Sequence, residues 1–334
     1  MILPIKARCL NMEYKNSRLS AILKIQYPLI QAPMSWITNA DFVAAVSEAG
    51  GLGVLGPHAG YHTPPKDPQE ILDRVRLEIR KVKSLTDKPF GLNLLLLKDD
   101  PLDDFTKAWL NIAFEEGVTH FVSVGNADNR VFNLIKEHDG IIIHRPLTAS
   151  ITNMREAESL GADVLVATGY DEGGMIPTRA IGTFTVVPTM VDAVDIPVMA
   201  TGGINDRRGV KAAFALGAEG VYIGTRFIVT KENPASEITK KKIVESGCDD
   251  IEFVSPKQRS IRTQAADILG SLYLNKENTL DLDTEISRLG GVRPAMLEGK
   301  LDEGIISVNT GIDVIRSIPT VKELVIDLLG LNEE

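Results

Sequence analysis

Two cysteines in 334 residues, Cys9 and Cys248, leave no material for a disulfide framework. They have no metal-ligand companions nearby, so no metal site is expected, and inert thiols in a reducing cytoplasm are the natural reading. No apolar run approaches the roughly 18 residues needed to cross a bilayer, which removes the transmembrane classes. Positive charge is also short. Lys and Arg number 36 against 45 Asp and Glu, for a net charge of −9. A nucleic-acid surface needs clustered cations to neutralise phosphates, and this balance argues against one. The opening residues are too short and too interrupted for a secretory signal. They carry no pattern, which leaves Met12 open as an alternative start. Pro/Gly-rich linkers and low-complexity tracts are missing too, so the chain reads as one cooperative unit. Its 44% hydrophobic content is enough for a large core.

What is present is a repeat of short apolar runs and amphipathic stretches. The spacing predicts strands at 28–34, 51–56, 90–96, 120–125, 140–147, 164–169, 198–203 and 220–225. Most are apolar on both faces, as in parallel strands covered by helices outside and packed side chains inside. Helical patterns fill the gaps. Residues 39–49 have Thr38 or Asn39 as cap and Gly50–Gly51 as stop, and residues 67–84 carry Ile71, Val75, Ile79 and Val82 on one stripe. Another helix, over 207–216, is closed by Gly217. Eight such units predict an α/β protein of the (β/α)8 TIM-barrel class, with an open doubly wound sheet as runner-up. The division expected is an N-terminal segment at 1–24, the barrel at 25–230, and a helical extension at 231–334. That extension is expected to hold helices at 235–246, 257–274 and 312–329, beside or over the barrel mouth.

Gly51, Gly53 and Gly56 spell GxGxxG, but the context is wrong for a dinucleotide fingerprint. That motif follows a strand and opens a helix. Here the glycines follow a helix and form a strand themselves, and small residues leaving room for a bulky planar ligand are the better reading.

Barrel chemistry collects at the C-terminal strand ends. The first strand ends in Pro33 and Met34, which can line the face of a flat ligand. From the tripeptide alone, an ordinary turn with a buried methionine is the plainer reading. Asn93 sits in an otherwise apolar third strand and must find partners, in a ligand edge or in a neighbouring strand. Strand six and its loop bring Thr168, Tyr170, Asp171, Glu172, Gly173 and Gly174, with the acids read as solvated. The turns after strands seven and eight, Gly202–Gly203 and Gly224–Thr225, suit a phosphate.

Taken in order, YPLIQAPMSWITNADFVAAVSEAGGLGVLG, KPFGLNLLLL, GADVLVATGYDEGG, IPVMATGGIND and ALGAEGVYIGTRF resemble the nitronate monooxygenase (2-nitropropane dioxygenase) family. They resemble equally its relative, the FMN-dependent enoyl-acyl-carrier-protein reductase II. More weakly, QRSIRT resembles the family's basic stretch near the barrel mouth. The resemblance implies non-covalent FMN, contacted near Pro33, Met34, Asn93, Thr168, Gly173, Gly174, Gly202, Gly203, Gly224 and Thr225. It also implies a catalytic histidine where this chain has Met175, and methionine cannot accept a proton. Nitronates are already anionic and need no such base, so oxidation of alkyl nitronates with O2 is the expected activity. As substitutes for the missing histidine, the sequence offers His144, His58, His62 and Tyr170. His144 and Arg145 alternate on their strand, so at most one of the two enters the barrel. Competing expectations are an NADH- or NADPH-dependent FMN reductase of an enoyl thioester or quinone, and a flavin-binding barrel without turnover. A fourth is a colourless barrel using the same phosphate loops. A small-molecule substrate is expected throughout, and a homo-oligomer stays open.

Overall fold

The computed structural model describes residues 17–97 and 99–331. Cys9 and Met12 lie outside that range, while Cys248 is exposed. Eight strands run parallel around a barrel: β1 (Leu29–Gln31), β2 (Gly53–Leu55), β3 (Phe90–Leu96), β4 (His120–Gly125), β5 (Ile141–Arg145), β6 (Val164–Thr168), β7 (Val198–Thr201) and β8 (Gly220–Ile223). In register, β1 pairs β8 with Leu29 opposite Val221, and a single bridge between Ile30 and Leu52 closes the ring to β2. β3 and β4 match their expected bounds, whereas the other six strands are shorter than expected.

The alternation of apolar side chains follows from the pleat. Ile30, Val54, Val122, Ile143, Val166, Met199 and Tyr222 fill the interior. Leu29, Leu55, Leu92, Phe121, Ile142, Leu165 and Val221 face outward under the helices. At the bottom, the helix Arg18–Leu23 pushes Leu19 and Leu23 into the interior cluster. Its Leu23 carbonyl sits 2.9 Å from Nε2 of His120.

The surrounding helices are α1 (Ala40–Glu48), α2 (Pro68–Leu85), α3 (Asp104–Glu115), α4 (Asn129–Lys136), α5 (Ile151–Ser159), α6 (Thr183–Ala193), α7 (Arg207–Ala215) and α8 (Val321–Leu329). Local chemistry starts them where expected. Asn39 caps α1 by accepting from the Phe42 N–H, and Asp67 caps α2 ahead of Pro68. Apolar side chains of α8 join the outer core, and α8 packs against α1 and α7. The ring therefore draws its last helix from within 231–334.

Two expected helices of that stretch are corrected. Residues 257–274 begin with a strand: β9 (Ile251–Ser255) and β10 (Gln258–Ile261) form an antiparallel hairpin, and only Gln264–Leu274 is helical, capped by Thr263. The 312–329 pattern is a single 3-10 turn, Ile312–Val314, followed by α8. Pro319 accounts for the break, since proline offers no N–H and disfavours helix in the residue before it. The helix expected at 235–246 forms as Glu237–Glu245. None of the described helices is long and apolar enough to cross a membrane.

Gly53 serves packing rather than ligand space. A Cβ there would lie 2.2 Å from the Val43 carbonyl oxygen, so its bareness admits the backbone of α1.

Candidate active site

A cavity of about 660 Å³ opens at the C-terminal ends of the strands, within the range that holds cofactors and small ligands. Pro33 and Met34 enter it from the end of β1, and Asn93 from β3. The expected phosphate turns also face it. Gly202 (φ +114°) and Gly203 (φ +69°) bend the chain after β7 through a region that side-chain-bearing residues rarely adopt. Gly224 and Thr225 follow β8. None of the N–H groups of Gly203, Ile204, Gly224 and Thr225 is used in the backbone hydrogen bonds of these turns. Four donors facing one cavity without acceptors form a cradle suited to an anion.

Other expected contacts are already engaged. Asn93 donates from Nδ2 to the Val122 carbonyl at 2.9 Å, so its amide is partly structural, with its oxygen left over. The Gly174 N–H donates to Ser307 Oγ at 2.8 Å and is not available to a ligand. Gly173 is bare because a Cβ would lie 2.6 Å from the backbone of Val308. Thr168 is not among the cavity-lining residues, although its buried hydroxyl has no partner.

Sequence reasoning missed the strap at 305–311, which crosses the mouth and ties the last three loops together. Thr225 Oγ1 accepts from the Asn309 N–H at 2.9 Å, and the Asn309 and Asn205 amides pair reciprocally at 2.8 and 2.9 Å. The Thr310 N–H donates to the Asp171 carbonyl at 3.0 Å. Ser307 and Asn309 thereby join the cavity wall. The strap is far from these loops in sequence, and only its short polar run hinted at such a role.

His144 is corrected. It points outward, 1% exposed, with Nδ1 2.9 Å from Ser123 Oγ and its ring edge-on to Phe132. Burial lowers its pKa to about 4 and keeps it neutral. Strand alternation sends Arg145 inward instead. Tyr170 is absent from the cavity wall as well, since its ring lies under the Arg259 guanidinium at 4.4 Å. Arg259, from the QRSIRT stretch, donates to the carbonyls of Tyr170 at 2.8 Å and Glu172 at 3.2 Å, clamping the loop after β6. His58 does line the cavity, stacked on Trp36 at 4.2 Å, and burial followed by Arg74 lowers its pKa. His62 lies outside the wall, with its carbonyl bound by Arg293.

Glu172, read from the sequence as a solvated loop acid, is only 6% exposed and lies in the cavity wall. Its Oε1 accepts from Arg145 Nη2, and Tyr222 is the third polar group of this corner. Burial pushes the Glu172 carboxyl up to about 7, against the pull of Arg145 and then Arg259. Met175, at the expected histidine position, is 38% exposed at the rim.

Eight parallel strands in a ring, with the cavity at their C-terminal ends, define the (β/α)8-barrel class. Comparison with known proteins narrows the class to oxidoreductases. The chain matches the nitronate monooxygenase family over residues 16–330 and belongs to it. A probable nitronate monooxygenase of Staphylococcus saprophyticus is 33% identical over 274 residues, covering 69% of this chain and 73% of that protein. FabK from Thermotoga maritima superposes with a TM-score of 0.82 at 32% identity, covering 94% of this chain and 95% of its own. A nitroalkane oxidase from Streptomyces ansochromogenes, 23% identical with a TM-score of 0.76 and coverage of 94% and 97%, shares the fold.

Proposed function

We propose that this chain is an FMN-dependent oxidoreductase of nitronate monooxygenase type, oxidising alkyl nitronates with O2. The observation that carries the reading is the set of unused N–H groups of Gly203, Ile204, Gly224 and Thr225 in one cavity with Pro33, Met34 and Asn93. These donors would hold the FMN phosphate, and Pro33, Met34 and the free Asn93 oxygen would flank its ring system. When bound, FMN supplies the redox capacity that carries electrons from substrate to O2.

The chain's own residues account for the rest. Arg145 lines the cavity wall with its guanidinium paired to one Glu172 oxygen, and its charge would attract an anionic substrate such as a nitronate. Leu95 and Leu97 are 46% and 47% exposed, and with Met175 they form an apolar rim for the alkyl part. Large apolar side chains left open at a cavity mouth gain from a ligand that covers them.

The same rim supports a second reading, in which an NADH- or NADPH-dependent reductase takes an enoyl thioester or a quinone. Anaerobic mixing of the purified yellow protein separates the two. Flavin bleaching by propionate 3-nitronate or ethyl nitronate supports the first, and rapid bleaching by NADH or NADPH the second. A protein that neither retains nor takes up FMN overturns both.

A further inference from the structure

The missing histidine directs attention to what else at the mouth can move a proton. Among the titratable side chains of the cavity wall, Glu172 has an unusual setting. One carboxylate oxygen is committed to Arg145, while Oε2 has no hydrogen-bond partner and is not sealed from the cavity. Beside it, the buried Arg145 Nε–H also lacks an acceptor. Arg145 itself lines the cavity, so a proton acceptor and a positive charge come from the same ion pair beside the same space. The Arg259 clamp on the Glu172 carbonyl and the Gly174–Ser307 bond fix the loop on both sides of the carboxyl.

We infer that Glu172 is the catalytic base of this chain, removing the α-proton of neutral carbon acids such as nitroalkanes, with Arg145 binding the anion that forms. In this step the substrate C–H bond breaks, the proton passes to Glu172 Oε2, and the electron pair delocalises onto the nitro oxygens beside Arg145. No oxidant is consumed. The residue lies three positions before Met175 on the same loop, so the function expected of the histidine moves along the loop. This inference rests on the functional reading above and extends its substrate class from nitronates to their neutral parents.

The carboxyl, pushed up to about 7 by burial, is matched to proton transfer near neutral pH. The charged or titratable groups facing it are Arg145 from β5, Arg259 from β10 and Tyr222 from β8. Glu172 helps to hold Arg145 cationic, and burial raises the Tyr222 phenol, so neither titrates in the neutral range.

The test is exchange of the α-protons of nitroethane in D2O, followed by proton NMR with the FMN-loaded protein under anaerobic conditions. Exchange requires deprotonation and return but no net oxidation, so it reports on Glu172 even where the protein oxidises no nitronate. Absence of FMN binding shows separately in the absorption spectrum and sinks the functional reading first. Enzyme-dependent exchange is expected to rise with pH through about 7 and level off. Glu172→Gln should lose about 100-fold or more of it, while Glu172→Asp, which keeps a carboxylate, should retain measurable exchange. Ethyl nitronate, which needs no base, is the control: Glu172→Gln also breaks the ion pair that holds Arg145, so its turnover should fall through a raised KM, by a smaller factor than exchange does. No exchange in the wild type, exchange that survives in Glu172→Gln, or equal loss of exchange and nitronate turnover overturns the assignment.

Discussion

The Glu172 carboxyl should leave a mark on stability that can be measured without any substrate. Its rise from an ordinary 4.5 to about 7 means that the folded protein holds this proton where the unfolded chain has released it. The folded state then binds more protons between these two values, so stability falls as pH rises through that window. At roughly 1.4 kcal/mol per pH unit the loss is about 3 kcal/mol, complete once pH exceeds about 7. His120 and His144 act in the opposite sense. Burial depresses both to about 4, so they stay neutral when folded, and stability drops as acid charges the unfolded chain below 6.5. The slopes overlap, and only a difference isolates Glu172. Urea unfolding of wild type and Glu172→Gln, at one fixed FMN concentration, should give a stability difference that moves about 3 kcal/mol against the wild type between pH 4.5 and about 7, then stays level. A difference independent of pH would show that the carboxyl titrates normally. A difference moving in favour of the wild type as pH rises would show that Arg145 holds it ionised. Either result removes the physical basis for the proposed base.

Three further outcomes follow from the geometry. Gly202→Ala places a Cβ 2.5 Å from Thr183 Oγ1 at φ +114°, so it should cost about 2 kcal/mol or more and weaken FMN retention, read by urea midpoint and bound absorbance. Met175→His, placed in the Glu172→Gln background, should restore turnover of neutral nitroethane relative to ethyl nitronate; an unchanged ratio would show that position 175 does not reach the substrate. His144→Ala should lower stability by about 2 kcal/mol through its lost packing and Ser123 contact, with nitronate turnover per bound flavin unchanged. A fall in that turnover would contradict the outward placement of His144.

The scaffold was legible because period-2 and period-3.6 patterns report burial directly. β3 and β4 stand at their expected bounds, and the Asn39 cap and the Pro68 start hold. The turns after β7 and β8 were legible for a related reason: glycines at strand ends mark tight bends of the chain. Glu172 was not. A lone acid in a loop is solvated unless something covers it, and the cover comes from Arg145 on another strand, Arg259 on the hairpin and the strap at 305–311. Such contacts carry no local signature. Likewise, Arg145 and His144 could be told apart only as alternatives until the phase of β5 was fixed by its neighbours.

The place of α8 in the ring bears on how the mouth can move. Everything between β8 and α8, including the hairpin and the strap, is stitched into the scaffold at both ends, unlike a domain hung on one flexible tether. Its freedom is therefore that of a bridge rather than a door. Within the span, Gly290 and Gly291 adopt φ +96° and +63° beside the open cavity, where the backbone can bend most readily. Cutting the chain before Val321 would release the span and strip α1 and α7 of a shared neighbour at one stroke.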